Sequence, residues 1–248
     1  MPSRDFVPGG YRYQPGVFQY SAGVAALAGF RIERVMLRTP VRLREGFARI
    51  EAILASAGRP TTAFAACELR SPGPMSETTF RAFNELYVDR LVQFGLIVDG
   101  ANPVARSNVC PEIGAPAEPS FHAFSYTVEE AAPGPSFVIS GSGEVPEGKA
   151  NYRDHIIRPG DESPAGLKAK AAFVLDAMEA RLAAFGFGWG ETTAVQVYTL
   201  RDFHPVIADE IMARGCGRHG IDWHYCRPPV VGLDYEMDCR GVDRERVV

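Results

Sequence analysis

The chain states one arrangement of elements twice, and this constrains its fold more than any single motif. In the first half, VRLREGFARIEAILASAG puts Leu43, Phe47, Ile50 and Leu54 at helical spacing and stops at Gly58. TTAFAACEL follows as a strand. MSETTFRAFNELYVDRLVQFG then predicts a second helix with Phe80, Phe83, Tyr87, Leu91 and Phe94 on one face and Ser76 as cap. Two strand-like runs close the half, around Arg106 and at SFHAFSYTV. After the proline- and glycine-rich EEAAPGPS the order begins again. FVISGSGEV predicts a strand, and SPAGLKAKAAFVLDAMEARLAAFG a helix capped by Ser163, with Pro164 in its first turn and a stop at Gly186. TTAVQVYTL is a strand, DFHPVIADEIMARG a helix from about Asp202, and GIDWHYC and VGLDYEMDCRGV the closing strands. A repeated order of this length outranks any local signal. It predicts an α+β chain of two tandem units, residues 1–130 and 131–248, each with helices against one sheet face. Aromatic-rich alternation in YRYQPGVFQYSAGVAAL adds strands ahead of the first unit, broken at Pro15 and near Gly23.

Composition excludes several function classes. The formal net charge is −4, and no lysine–arginine run concentrates positive charge, so nucleic-acid and anionic-membrane binding are not expected. The longest weakly polar stretch, AGVAALAGF, falls far short of a membrane span, and the N-terminus has no apolar core of signal-peptide length. Cys67, Cys110, Cys216, Cys226 and Cys239 are scattered and odd in number, which points to free thiols in a reducing compartment. The expected location is the cytoplasm. CGRHGIDWHYC invites a zinc reading through Cys216, His219, His224 and Cys226, but its spacing is not a standard one, and no metal is expected. GFGWG follows a helix and lacks the lysine of a phosphate loop.

One residue stands out chemically. Arg106 sits in the strand-like NPVARSNVC, and a guanidinium is almost never fully buried unless something pairs with it. A protein carboxylate or a ligand carboxylate must do so.

GFARIEAILASAG, FRAFNELYVDRL and NPVARSNV resemble, in order and spacing, the RidA (YjgF) family of enamine and imine deaminases. The marks are Ala57-Gly58, Asn84 with Tyr87, and Ala105-Arg106-Ser107. FVISGSGE and VQVYTLRDF carry a fainter likeness through the second half, and the tandem form is similar to bacterial deaminases of 2-aminomuconate and its chlorinated analogue. The resemblance implies a chorismate-mutase-like fold in both units, ligand clefts between neighbouring units, and a homo-oligomer, most simply a trimer. It implies hydrolysis of a carboxylated enamine or imine to an oxo acid and ammonia, without cofactor. Arg106 would be the carboxylate clamp, its fork matched to a planar carboxylate. Tyr13, Ser21 and Gly23 would line the pocket, and Asn108 stands where many members have cysteine. His122 occupies the place of the family's water-positioning glutamate, and a histidine can move protons near neutral pH. The second half keeps acids there, Asp234, Glu236 and Asp238, of which Glu236 is the catalytic candidate, with Glu144 lending a further substrate contact. Three like charges on one strand face are costly unless each meets a partner. The competing expectation is a protein of the same fold that binds an oxo acid without turnover.

Overall fold

The computed structural model describes residues 2–149 and 151–248. A short hairpin opens the chain, β1 (Arg4–Phe6) and β2 (Tyr11–Gln14), followed by β3 (Gly23–Ala26). The first repeat is then β4 (Phe30–Arg42), α1 (Leu43–Ser56), β5 (Phe64–Arg70), α2 (Glu77–Gln93), β6 (Ala105–Pro111) and β7 (Ser120–Glu129). The second is β8 (Phe137–Gly143), α3 (Pro164–Phe185), β9 (Ala194–Thr199), α4 (His204–Val206), β10 (Asp222–His224) and β12 (Tyr235–Gly241), with a short β11 (Cys226–Arg227) before β12 and β13 (Glu245–Val247) after it.

The helix ends follow from local chemistry. Ser76 accepts a hydrogen bond from the Thr79 amide and Ser163 one from Gly166, so each cap satisfies an otherwise orphaned first-turn donor. Gly186 ends α3 in the left-handed conformation. The helix expected from about Asp202 is broken instead: α4 passes directly into a π turn (Ile207–Ile211) and a 3-10 turn (Met212–Arg214).

Strand order makes the duplication explicit. The first repeat runs β4-β7-β5-β6 and the second β8-β12-β9-β10, so both place their strands first-fourth-second-third. In both, the second and third strands are parallel and the other pairs antiparallel. Alpha helices cover one face of each sheet. Phe47, Ile50 and Leu54 of α1 and Phe80, Phe83 and Tyr87 of α2 build the first core, and Leu167, Val174, Met178 and Leu182 of α3 the second.

Sheet membership does not divide at residue 130. The β1–β3 segment extends the second repeat's sheet through β3 on β8, while β13 pairs with β4 and β11 with β6. A bare edge strand presents unpaired N–H and C=O groups, and each repeat's first strand is covered by a segment from outside that repeat. The two sheets are thereby laced together. The faces away from the helices share a polar seam, where Arg34 holds Glu68 (2.6 Å) and Asp238 accepts hydrogen bonds from Ser107 and the Tyr198 hydroxyl.

Candidate active site

Where β6 meets β8 and β12, a cavity of ≈ 520 Å³, mouth included, is lined by Arg106, Asn108, Gly141, Gly143 and Glu236. Tyr20, Phe80 and Tyr152 wall it. Arg106 is only 2% exposed. Its backbone amide donates to Ser140 Oγ at 3.0 Å, which fixes β6 against β8. Its guanidinium lies in an aromatic cage, 4.9 Å from the Tyr87 ring centre, 5.2 Å from Tyr20, 5.7 Å from Phe83 and 5.9 Å from Phe80. Ring faces stabilise a cation, but they satisfy none of its N–H groups. Arg106 Nη1 has no hydrogen-bond partner among the described residues.

Asn108 lies two residues on, on the same face of β6. Its Oδ1 accepts from Ser71 Oγ at 2.9 Å, which orients the amide, and its Nδ2 has no partner among the described residues. Two buried, unused donors therefore line one cavity, and a buried donor left unmade costs free energy until a ligand supplies an acceptor.

Glu236 is the acid of the cavity. Burial, with Asp238 and Glu144 behind it, raises its pKa well above the usual carboxylate range, and Arg106 pulls back only partly. That shift favours its protonated, proton-donating form over a second anion. Gly141 makes room for it, because a Cβ there would collide with the Glu236 carboxylate. The three acids in LDYEMD separate by partner. Asp234 is held by Lys170 (2.5 Å) and Arg201 (2.8 Å), Asp238 by Ser107 and Tyr198, and Glu236 faces the cavity.

Five of the eight residues read from the sequence as site members stand elsewhere. Tyr13 is packed in the first hydrophobic core. Ser21 Oγ is within hydrogen-bond distance of the Gly23 and Pro103 carbonyls, and Gly23 is a close-packing point of β3 against Ile139. Glu144 is fully buried and spent on the protein: it accepts from the Asp234 and Tyr235 amides and from Lys170 at 3.4 Å. His122 lies in a different recess, where burial and then Arg70 lower its pKa to about 4.

The residues missed belong to segments without periodicity. Glu147, which pairs with Arg181 at 2.9 Å and accepts from the Tyr20 hydroxyl at 2.8 Å, and Tyr152 sit in the long β8–α3 connection. Phe80 and Phe83 were legible as the apolar stripe of α2, but not as the cage of a cation.

Residues 3–246 match the family described as 2-aminomuconate deaminase CnbZ. The chain belongs to the CnbZ family. The RidA-type reading of the motifs stands with it. Over 245 residues the chain is 51% identical to a 2-amino-5-chloromuconate deaminase of Comamonas testosteroni, covering 98% of both chains. A crystal structure of chorismatase is similar at 11% identity and a TM-score of 0.56, over 89% of this chain and 77% of that one, which shows the shared α+β fold. Among the described residues, no helix is long and apolar enough to cross a membrane.

Proposed function

We propose that this CnbZ-family chain is a hydrolytic deaminase of 2-aminomuconate-type enamines, with the Arg106 cavity as its active site. The carrying observation is the pair of unpartnered buried donors, Arg106 Nη1 and Asn108 Nδ2, beside Glu236, whose acid form burial favours. Such donors fit a carboxylate, and the fork of Arg106 sets its plane. The near relative's substrate, a chlorinated 2-aminomuconate, carries a carboxylate next to the amino-bearing carbon.

The reaction follows from that placement. Protonation of the enamine carbon next to the amino-bearing one gives an iminium, and Glu236 supplies this proton. Water adds to the iminium carbon, and the resulting Glu236 carboxylate takes a proton from it. Glu236 then passes that proton to the carbinolamine nitrogen and takes the one on its hydroxyl as the C–N bond breaks and the C=O bond forms, leaving ammonia and the 2-oxo acid. Water is the only co-reactant in this sequence. Positioning does much of the work, since an iminium is already activated toward water, and general acid–base help contributes roughly 10²–10⁴-fold. Residues of both repeats close the cavity, so the reading needs no second copy of the chain. Five free, buried cysteines support placing this chemistry in the reducing cytoplasm.

Incubating the protein with freshly generated 2-aminomuconate and following ammonia release tests the reading. Stoichiometric ammonia with loss of diene absorbance is expected. Tight binding of the same compound without ammonia would leave only a binding protein.

A further inference from the structure

The two repeats meet in a way that makes two clefts. The Arg106 cavity takes its residues from β6, the third strand of the first repeat, and from β12 and β8, the fourth and first strands of the second. Exchanging the roles of the repeats gives β10, β7 and β4. Those strands line a second, more open recess of ≈ 1400 Å³, mouth included, with Trp223 and His224 from β10, His122 from β7, and Met36 and Arg38 from β4. It is the pseudo-symmetric counterpart of the active site, and its chemistry is different.

Among the described residues the lining holds Arg38, Arg70, His122 and His224 and no aspartate or glutamate, on a chain whose net charge is −4. Arg70 is 4% exposed. Its Nη1 donates to the Leu69 carbonyl at 3.0 Å and its head group lies 5.6 Å from the Tyr198 ring, but Nη2 has no partner among the described residues. His224 is fixed as well. The Gln196 carbonyl oxygen accepts from Arg240 at 2.9 Å, so its NH₂ faces His224 Nε2, also at 2.9 Å. Nε2 is then the acceptor, and the His224 proton sits on Nδ1. The ring stacks on Tyr198 at 5.0 Å. Trp223 and Tyr225, 44% and 49% exposed, stand at the rim.

We propose that this second cleft is a binding site for a planar unsaturated carboxylate, held by Arg70 and the His224 Nδ1–H with Trp223 and Tyr225 along its flat face. No carboxylic acid lines it as Glu236 lines the first cleft, so the anion is bound and not turned over. The site stands apart from the reaction assigned to the Arg106 cavity. The ligand's chemistry fits either a diene dicarboxylate related to that reaction or an aromatic monocarboxylate.

Tryptophan fluorescence tests this on the full chain. Trp223 is half exposed at the recess, whereas Trp189 is buried and donates to Glu179. Titration with trans,trans-muconate, which has no amino group to lose, and separately with benzoate should quench Trp223. Quenching by both means that one carboxylate suffices, and quenching by muconate alone identifies a dicarboxylate site. Arg106→Met should leave the midpoint unchanged, Arg70→Met should raise it at least tenfold, and Arg38→Glu, an exposed charge reversal, several-fold. Should Arg70→Met not fold, Arg38→Glu decides. Quenching abolished by Arg106→Met would return the signal to the first cleft, and quenching untouched by Arg38→Glu would remove the electrostatic argument. No quenching with either probe would show that the recess takes no such carboxylate. Each of these overturns the proposal.

Discussion

Arg106→Lys keeps the charge and removes the fork. In the cage, a lysine ammonium still meets the faces of Tyr87 and Tyr20, so the cation itself is retained. It cannot reproduce two parallel N–H donors held in one plane with a carboxylate. One charge-assisted hydrogen bond is worth about 1.5–3 kcal/mol, and a loss of about 2–3 kcal/mol in transition-state binding lowers kcat/KM by roughly 30- to 150-fold. Stability should respond differently. Arg106 Nη1 has no hydrogen-bond partner among the described residues, so its loss orphans no acceptor there.

Arg106→Met makes the contrast sharper. A buried cation without a bonded carboxylate costs more to desolvate than its surroundings return, and replacing it with an apolar chain of similar length is often neutral or stabilising. The melting temperature should hold or rise while turnover falls below that of the lysine variant. The assay is ammonia release for kcat/KM, paired with thermal unfolding of the same preparations. A lysine variant within about threefold of wild type in kcat/KM but several degrees lower in Tm would refute the clamp and make Arg106 a structural residue.

Glu236→Gln should cost roughly 10²–10⁴-fold in kcat by removing the proton donor. Because the acid form is the one required and its pKa is raised by burial, wild-type kcat/KM should be flat at low pH and fall as pH rises through that pKa; a Gln variant that keeps the same alkaline limb would assign it to another group. Gly141→Ala should lower kcat while leaving the fold intact, since the new methyl displaces the Glu236 carboxylate; unchanged kinetics would show that the carboxylate has room to move. Lys170→Met leaves Glu144 and Asp234 without their shared cation, and removing one partner of a buried pair costs about 3–5 kcal/mol. Glu144 keeps its two backbone amides, which places the loss at the low end, and a urea midpoint giving under about 1 kcal/mol would contradict it.

The repeat was legible in part because α2 and α3 carry their own end signals: Ser76, Ser163 and Gly186 act as their residue types predict. Arg106 was legible as a charge in a strand that had to be answered. What the sequence hid was sidedness across the repeats. Nothing in the order of residues says that the strand at Gly23 joins the sheet of β8, or that Glu144 turns its carboxylate to the Asp234 and Tyr235 amides rather than into the cavity. His122 was assigned by its position within its own repeat, and it lies on that repeat's fourth strand, β7. The cleft it faces is the other one, because each cleft is built from the third strand of one repeat and the fourth of the other.

That rule also explains how the two copies could diverge. A single repeat brings a clamp strand and an acid strand, but it never sets them in the same cleft. The Arg106 cavity therefore needs only the third strand of the first repeat and the fourth of the second to be correct. The complementary pair, β10 and β7, carries none of that chemistry. His122 and His224 stand on those two strands, held neutral chiefly by burial, and Arg70 brings the fixed charge from β5. Substitution on β7 or β10 leaves the first cleft's clamp and acid untouched, whereas substitution on β6 or β12 strikes it directly. Fusing two copies thus separates two sites that an assembly of identical single units would be forced to keep the same.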